Sequence, residues 1–593
     1  MGSLIIRFPF YVLAVFVLIL SVSDCRSQVL SLNRKVNWEL AGLRESIPDF
    51  TNVSDITSFG GSGDGITWND VPIQNAISSL AGHSGVIYFP PGNYLFTSSI
   101  VLPDSVIIRG HSPDSTFLKF DLAGAGQDLF LVQGSMAGSA TSLSQSGVRD
   151  SNKLVLNSGS GIVAGDRVRI SMKDTALLAS SWAYGSVGQI ARIQSVAGDT
   201  FLLDSPLRMN FNISDSAKII KMNPGHHVGF ECFSIERADA TALQTSNFSF
   251  NYAFCCWIKG VKSFNTNFAH VSVSASSNIL ISGNYFHHAF SYGGGGEGYG
   301  TVLQYSSGEC LVENNIFNNL RHSMLLQAGS NGNVFGYNYS VNPFWAQPPF
   351  PANSSGDMVL HGNYPYANLF EGNIGQNIVI DNSHGINGPF NTFFRNRAEL
   401  YGIIMNTGPA TDSMNFIGNE IPNTGPFMGN YSLAGNGHFE FGNNVHGSII
   451  PSGTSALADS SLYRHTAPDY FNGGTAWPGI GTPYPYLAGS IPAFGNFADS
   501  IFTACTIIPG SGTSELLSNT GNIIYPNPSS GKFRISEFVG ENETSIAKIY
   551  DTKGAIAMEI ALGGGEEFNL QTLSSGIYFL KIKDRFYKLI ILY

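Results

Sequence analysis

Charge is scarce in this 593-residue chain: only 12% of residues are Asp, Glu, Lys or Arg. Basic residues are outnumbered, 31 Lys and Arg against 42 Asp and Glu, giving a formal charge of −11. Nucleic acid is therefore excluded as a partner, because phosphate binding needs clustered cations. An anionic polysaccharide is not excluded, since it asks only for a local basic patch. Beyond the N-terminus no apolar run is long enough to cross a membrane, so no transmembrane segment is expected in the mature chain. Cysteines number six, Cys25, Cys232, Cys255, Cys256, Cys310 and Cys505, with no CxxC pair. They form neither a metal motif nor a readable disulfide framework, and are expected as small apolar residues packed inside β-structure. No cofactor is expected; the residues give no support for calcium.

What the chain has is an apolar N-terminal stretch, 67 glycines and a repeat. Arg7 precedes an apolar run over residues 8–22, followed by small and polar residues, which reads as a secretory signal peptide over 1–27. Cys25 follows Val22-Ser23-Asp24 much as a lipoprotein acceptor would, but Asp24 fits such a site poorly.

Gly63-Asp64-Gly65-Ile66-Thr67 leads into an amphipathic stretch over residues 71–80, with Ile73, Ala76, Ile77 and Leu80 at helical spacing. Gly85-Val86-Ile87-Tyr88-Phe89-Pro90-Pro91-Gly92-Asn93-Tyr94 then reads as a strand and a Pro-Gly turn. This opening resembles the pectate-lyase-like family that includes rhamnogalacturonase and epimerase-like domains. Trp68-Asn69-Asp70 stands where that family tends to carry paired aspartates. The resemblance implies an all-β chain: a right-handed parallel β-helix over 48–505 with an N-terminal capping helix. Residues 147–222, where alternating strands are separated by Gly-Asp turns, read as a small β insertion.

A segment that begins and ends near Asn recurs along the body, with terminal asparagines at 315, 338, 373, 396 and 419. The intervals are 23, 35, 23 and 23 residues, so one coil carries twelve extra residues. A 23-residue period with three short strands suits one coil of a parallel β-helix, and stacked asparagines bond to those above and below. Extra residues over 291–300 and 342–356 fall at the same corner and should form one wall of a cleft. They offer Tyr292, Glu297 and Tyr299, then Phe344, Trp345 and Phe350, as platforms for sugar rings.

Counting back from the terminal asparagines stacks His322 on Asp357 and His361 on His384. Period-two alternation puts Met358 and Leu360 inward, and His322, Asp357 and His361 on the solvent face, with the side of Asp381 undetermined. Removing a proton beside a uronate carboxylate needs a base, His361 or His322, and a cation, Arg321 or Arg395, with Arg397 nearby. Hydrolysis instead needs two carboxylates, Asp357 with Asp381 or Glu371. The Arg-x-Pro-x-x-Arg of calcium-dependent pectate lyases is missing, as is the polygalacturonase set, to which Asn382-Ser383-His384-Gly385 is only faintly similar. The expected function is cleavage of an acidic polysaccharide by a secreted monomer, elimination slightly ahead of hydrolysis. A non-catalytic glycan-binding or adhesive surface protein is the alternative.

After a linker over 506–521, residues 522–593 read as alternating strands with tight turns, a small β-sandwich. Tyr525-Pro526-Asn527-Pro528 and Leu573-Ser574-Ser575-Gly576-Ile577-Tyr578 resemble the type A C-terminal sorting domain of the Bacteroidetes type IX secretion machinery. That resemblance implies export, and release or attachment at the cell surface.

Overall fold

The computed structural model describes residues 29–505 apart from 46–49, 51, 81, 158–159, 345–355, 407, 472–474 and 483, together with the strands and some turns of 524–591. The stretch expected as a signal peptide, Cys25, Trp345, Phe350 and the expected linker lie outside the described residues. The chain divides into two compact units at Gly510 and Ser511. No described helix is long and apolar enough to cross a membrane.

The first unit is a right-handed parallel β-helix. One twelve-stranded parallel sheet runs from Val53–Asp55 to Phe439–Phe441. Two further parallel ladders complete each coil. The second passes through Ser234–Arg237, Lys262–Phe264 and Tyr285–His287. The third passes through Ala269–Ser274, Tyr299–Gln304, His322–Leu326 and Met358–His361. Each coil leaves its inward side chains directly above those of the coil before. Phe335, Phe370, Phe393 and Phe416 thus form a column with ring centroids 5.1, 5.0 and 5.5 Å apart and nearly parallel planes. The spacing is that of the strands themselves, about 4.8 Å.

Two asparagine ladders flank the first sheet. Asn284, Asn315, Asn338, Asn373 and Asn396 each donate from Nδ2 to the Oδ1 of the next, at 2.9 to 3.1 Å, ending on Asn419 and Asn443. Asn333, Asn368 and Asn391 repeat this at the other end of the same strands. A helix, Asp70–Ser79, packs Ile73 and Ala76 into the end of the core.

The β insertion is a six-stranded antiparallel sheet, and its first strand, Ser135–Ser142, begins twelve residues before the expected 147. That strand pairs with Lys218–Asn223 from the far end of the insertion, a partner invisible to local pattern.

Residues 457–505 fold back on the body, which changes one expectation. Cys505 is joined to Cys232 by a disulfide with Cα atoms 5.2 Å apart, whereas Cys255, Cys256 and Cys310 are buried and free. The pairing was not readable because 273 residues separate the partners. Phe502 stacks on Tyr285 at 4.6 Å, and Phe494 and Phe497 pack against Tyr339. The second unit consists of antiparallel sheets of three and four strands between Ile524–Tyr525 and Arg585–Ile591.

Candidate active site

A cleft of about 430 Å³ opens over the outer face of the third sheet. Its floor is one row of polar side chains, each from a successive coil. Gln304 Nε2 donates to Ser274 Oγ at 3.1 Å, and Gln327 Nε2 to Gln304 Oε1 at 2.7 Å. The next two coils place His361 opposite Asp381, with Nδ1 2.6 Å from Oδ2. Asn406 Nδ2 continues the row, 3.2 Å from Asp381 Oδ1.

Asp381 is tightly held. Its oxygens also accept from the Ser383 N–H at 2.8 Å and the Ser383 hydroxyl at 2.7 Å. Burial alone would raise its pKa, but the His361 contact and the Ser383 donors outweigh burial and hold the carboxyl well below the usual range. It is therefore an ionised carboxylate in close contact with the His361 ring. His384 sits across the cleft floor, its ring 5.0 Å from His361 and perpendicular to it. Burial and the neighbouring His361 lower its pKa. His322, 5.6 Å from His361, is buried, with Nδ1 3.0 Å from the Gly356 carbonyl oxygen. Burial, then Arg321 and His361, keep it neutral.

The walls differ in origin. On one side the β insertion supplies Trp182, 45% exposed, whose ring lies 5.6 Å from His384 and 6.2 Å from Tyr305. Ser180 Oγ lies 3.3 Å from His384 Nδ1. On the other side stand Phe268, Tyr299 and Arg321, with Gly295 and Gly296 of the first corner loop. Gln244 Nε2 donates to the Gly295 carbonyl at 2.7 Å and ties that loop down. The Arg321 guanidinium lies 5.7 Å from the Tyr299 ring and donates to the Gly293 carbonyl. Burial raises the Tyr299 phenol above its ordinary value, so it stays protonated.

Several expected site residues lie elsewhere. Met324 pairs with Met358, which sets His322 beside Gly356 and Asp357 beside Ser323 rather than His322 on Asp357. The corner after Met358–His361 holds one residue more than its predecessor, absorbed where Asn363 and Tyr364 take left-handed φ of 53° and 63°. Counting back from Asn373 crosses that corner and slips by one. Asp357 is buried, not solvent-facing, and its oxygens accept from Ser340 Oγ and the amides of Gln376 and Asn377. Burial pushes its pKa up to about 6. His361 pairs with Asp381, not His384, which belongs to the turn beyond the strand.

Arg395 and Arg397 do not line the cleft. Arg395 donates to the carbonyls of Ile480 at 2.9 Å and Asp459 at 2.8 Å, fastening the returning C-terminal segment. Arg397 pairs with Glu420 at 2.8 Å and donates to the Gly489 carbonyl. Glu371 is buried under the same segment, accepting from Tyr337 Oη and the Leu462 N–H. Tyr292 and Phe344 pack on each other at 4.6 Å where the two corner loops meet, and Phe344 is half exposed. Neither lines the cleft.

Sequence reasoning missed Trp182, Phe268, Tyr305, Gln304 and Gln327. The last two were readable, since they stand one 23-residue period apart; Trp182 reaches the cleft only through the insertion's fold.

Residues 50–196 match the family described as rhamnogalacturonase A/epimerase, pectate lyase-like. The chain carries a pectate lyase-like β-helix domain. Residues 523–591 match the secretion system C-terminal sorting domain, which directs the chain across the outer membrane, to be secreted or surface-attached. No curated protein matches the chain. Among solved structures it is similar to a tailspike protein of Pseudomonas phage LKA1, at 16% identity, 62% of this chain, 64% of that one and TM-score 0.48. A tailspike of Pseudomonas phage phi297 is 14% identical over 67% and 66% of the two chains, TM-score 0.49. An exopolygalacturonase from Thermotoga maritima is 12% identical over 64% and 82%, TM-score 0.37. The chain thus spans slightly less than two thirds of the length of either tailspike.

Proposed function

We propose that the protein is an exported polysaccharide lyase that cuts an acidic glycan by β-elimination in this cleft. The observation that carries the reading is the His361–Asp381 contact at 2.6 Å on the cleft floor. With Nδ1 2.6 Å from that carboxylate, His361 offers its other ring nitrogen, Nε2, as the base. His361 Nε2 takes the proton from the carbon beside the uronate carboxylate. The electron pair left behind forms the new C=C bond as the bond to the glycosidic oxygen breaks. Arg321 in the adjacent wall neutralises the carboxylate as charge builds on it. Tyr299, protonated in the same wall, gives its proton to the leaving oxygen.

Hydrolysis is less well served. Of the carboxylates expected to share that task, Asp357 and Glu371 are buried away from the cleft. Of the three only Asp381 touches a cleft residue, through His361.

The test is incubation of the full chain with a panel of acidic and neutral glycans, following ultraviolet absorbance and reducing ends together. The two signals should rise in step, and His361→Ala should abolish both. Reducing ends without absorbance would overturn elimination. Binding without cleavage across the panel would make this a glycan-binding protein instead.

A further inference from the structure

The β insertion reaches the cleft as a loop over residues 174–187, with Trp182 near its tip. Asp174 closes the base of that loop, its two oxygens accepting from the amides of Gly185 and Val187 at 2.9 Å each. The base rests on the corners of two successive coils. Ser306 Oγ donates to the Ser186 carbonyl, and a Cβ on Gly329 would strike that same carbonyl. Both contacts hold the base and leave the tip to be placed by something else.

Asn363, at the corner of the next coil, meets the tip. Its Oδ1 accepts from the amides of Ala179 and Ser180, each at 3.2 Å, and its own N–H donates to the His384 carbonyl at 2.9 Å. The residue is fully buried and holds a left-handed φ of 53°, which Asn tolerates better than most side chains. Its Nδ2 has no partner among the described residues, so the oxygen is what the side chain contributes. One residue thereby joins the strand that ends in His361, the turn that carries His384 and the tip that carries Trp182. The three fit closely: a Cβ on Gly385 would fall 2.6 Å from the Ala179 Cβ, and one on Gly362 would fall 2.7 Å from the His384 carbonyl carbon. Trp182 follows Ser180 by two residues, so a tip released from Asn363 would carry the ring away from His384 and Tyr305, now 5.6 and 6.2 Å distant.

We infer that Asn363 is a positioning residue for the glycan-binding wall: its side-chain oxygen sets the gap between Trp182 and the His361–His384 floor. The tether rests on the geometry of the loop alone, and its consequence for a glycan rests on the proposed function.

Two full-chain variants isolate the oxygen. Asn363→Gly keeps the left-handed backbone and the N–H to His384 but removes the acceptor; Asn363→Asp keeps the acceptor and gives up only the unpartnered donor. Hydrogen exchange read by mass spectrometry should show the Ala179 and Ser180 amides exchanging at least about tenfold faster in the Gly variant, with Gly185, Val187 and the asparagine-ladder coils at the parental rate. The Asp variant should restore the slow exchange. On whichever of polygalacturonate, alginate and gellan the parent cleaves, Asn363→Gly should raise KM about fivefold with little change in kcat, and should add almost nothing in a Trp182→Ala background. Parental exchange at the tip of the Gly variant, or no rescue by Asp, would overturn the tether. A KM penalty undiminished without Trp182 would overturn the positioning role. No cleavage by the parent would sink the lyase instead, and affinities for the same three glycans would then replace KM; if the parent binds none of them, the wall has nothing to position and the inference fails.

Discussion

His361 and Asp381 occupy the same position on successive coils of the third sheet, and their side chains meet at 2.6 Å. The strand register brings the two groups together, and the Ser383 donors keep the carboxyl ionised. Asp381→Asn should therefore leave the fold intact and lower kcat about a hundredfold or more, because an amide can turn its N–H₂ toward the ring and favour the wrong tautomer. Circular dichroism with initial rates on the cleaved glycan checks this. An unchanged kcat would remove Asp381 from the chemistry.

Trp182 should matter for binding. Its exposed ring stands on the insertion, over the cleft and beside His384. Trp182→Ala should raise KM about tenfold with a much smaller change in kcat, a loss of about 1.4 kcal/mol typical of one stacked ring. Steady-state kinetics on a long-chain substrate reads the split.

Asp357 should influence stability rather than turnover. Its pKa is raised to about 6 in the fold, against an ordinary Asp value near 3.9. The folded state therefore binds more protons than the unfolded chain between about pH 4 and 6. Stability falls as pH rises through that window, and the penalty is fully present above it. Asp357→Asn keeps an oxygen for the Gln376 and Asn377 amides and should remove the penalty. The variant should be more stable than the parent at pH 7, by at most about 3 kcal/mol, with the advantage gone below pH 4. Denaturant melts at several pH values give the comparison, and turnover should be unchanged.

Asn373 sits mid-ladder, donating to Asn396 Oδ1 and the Phe335 carbonyl while its own oxygen accepts from Asn338. Asn373→Ala leaves buried partners on both neighbouring coils unpaired and should cost about 2–4 kcal/mol, with no direct effect on the cleft. Urea unfolding monitored by fluorescence is the measurement.

Cys505→Ser should loosen the returning C-terminal segment. The disulfide closes a long loop, and its loss should cost about 2–4 kcal/mol. Limited proteolysis should cut near the Phe494 to Phe502 stretch in the variant before it cuts the parent, with cleavage of glycan unaffected.

Periodicity alone carried much of the architecture. The 23-residue recurrence of Asn315, Asn338, Asn373, Asn396 and Asn419 fixes a coil length, and stacked coils can satisfy buried amides only by laddering them. Alternation placed Met358 and Leu360 inside, where they lie. Both features depend on chemistry repeated at fixed intervals, and sequence records such intervals directly. The site was only partly legible. His361, His384 and Arg321 line one cleft and Asp381 meets His361, but Asp357, Arg395 and Arg397 are held by the interior and by the returning segment. One extra residue at the Asn363–Tyr364 corner slipped the register, and a one-residue slip changes the neighbour of every side chain in the strand. Trp182, the fold-back of 457–505 and the Cys232–Cys505 bond depend on contacts between residues hundreds apart. Such contacts leave no interval to read, because they are decided by which surfaces remain to be buried once the coils have stacked.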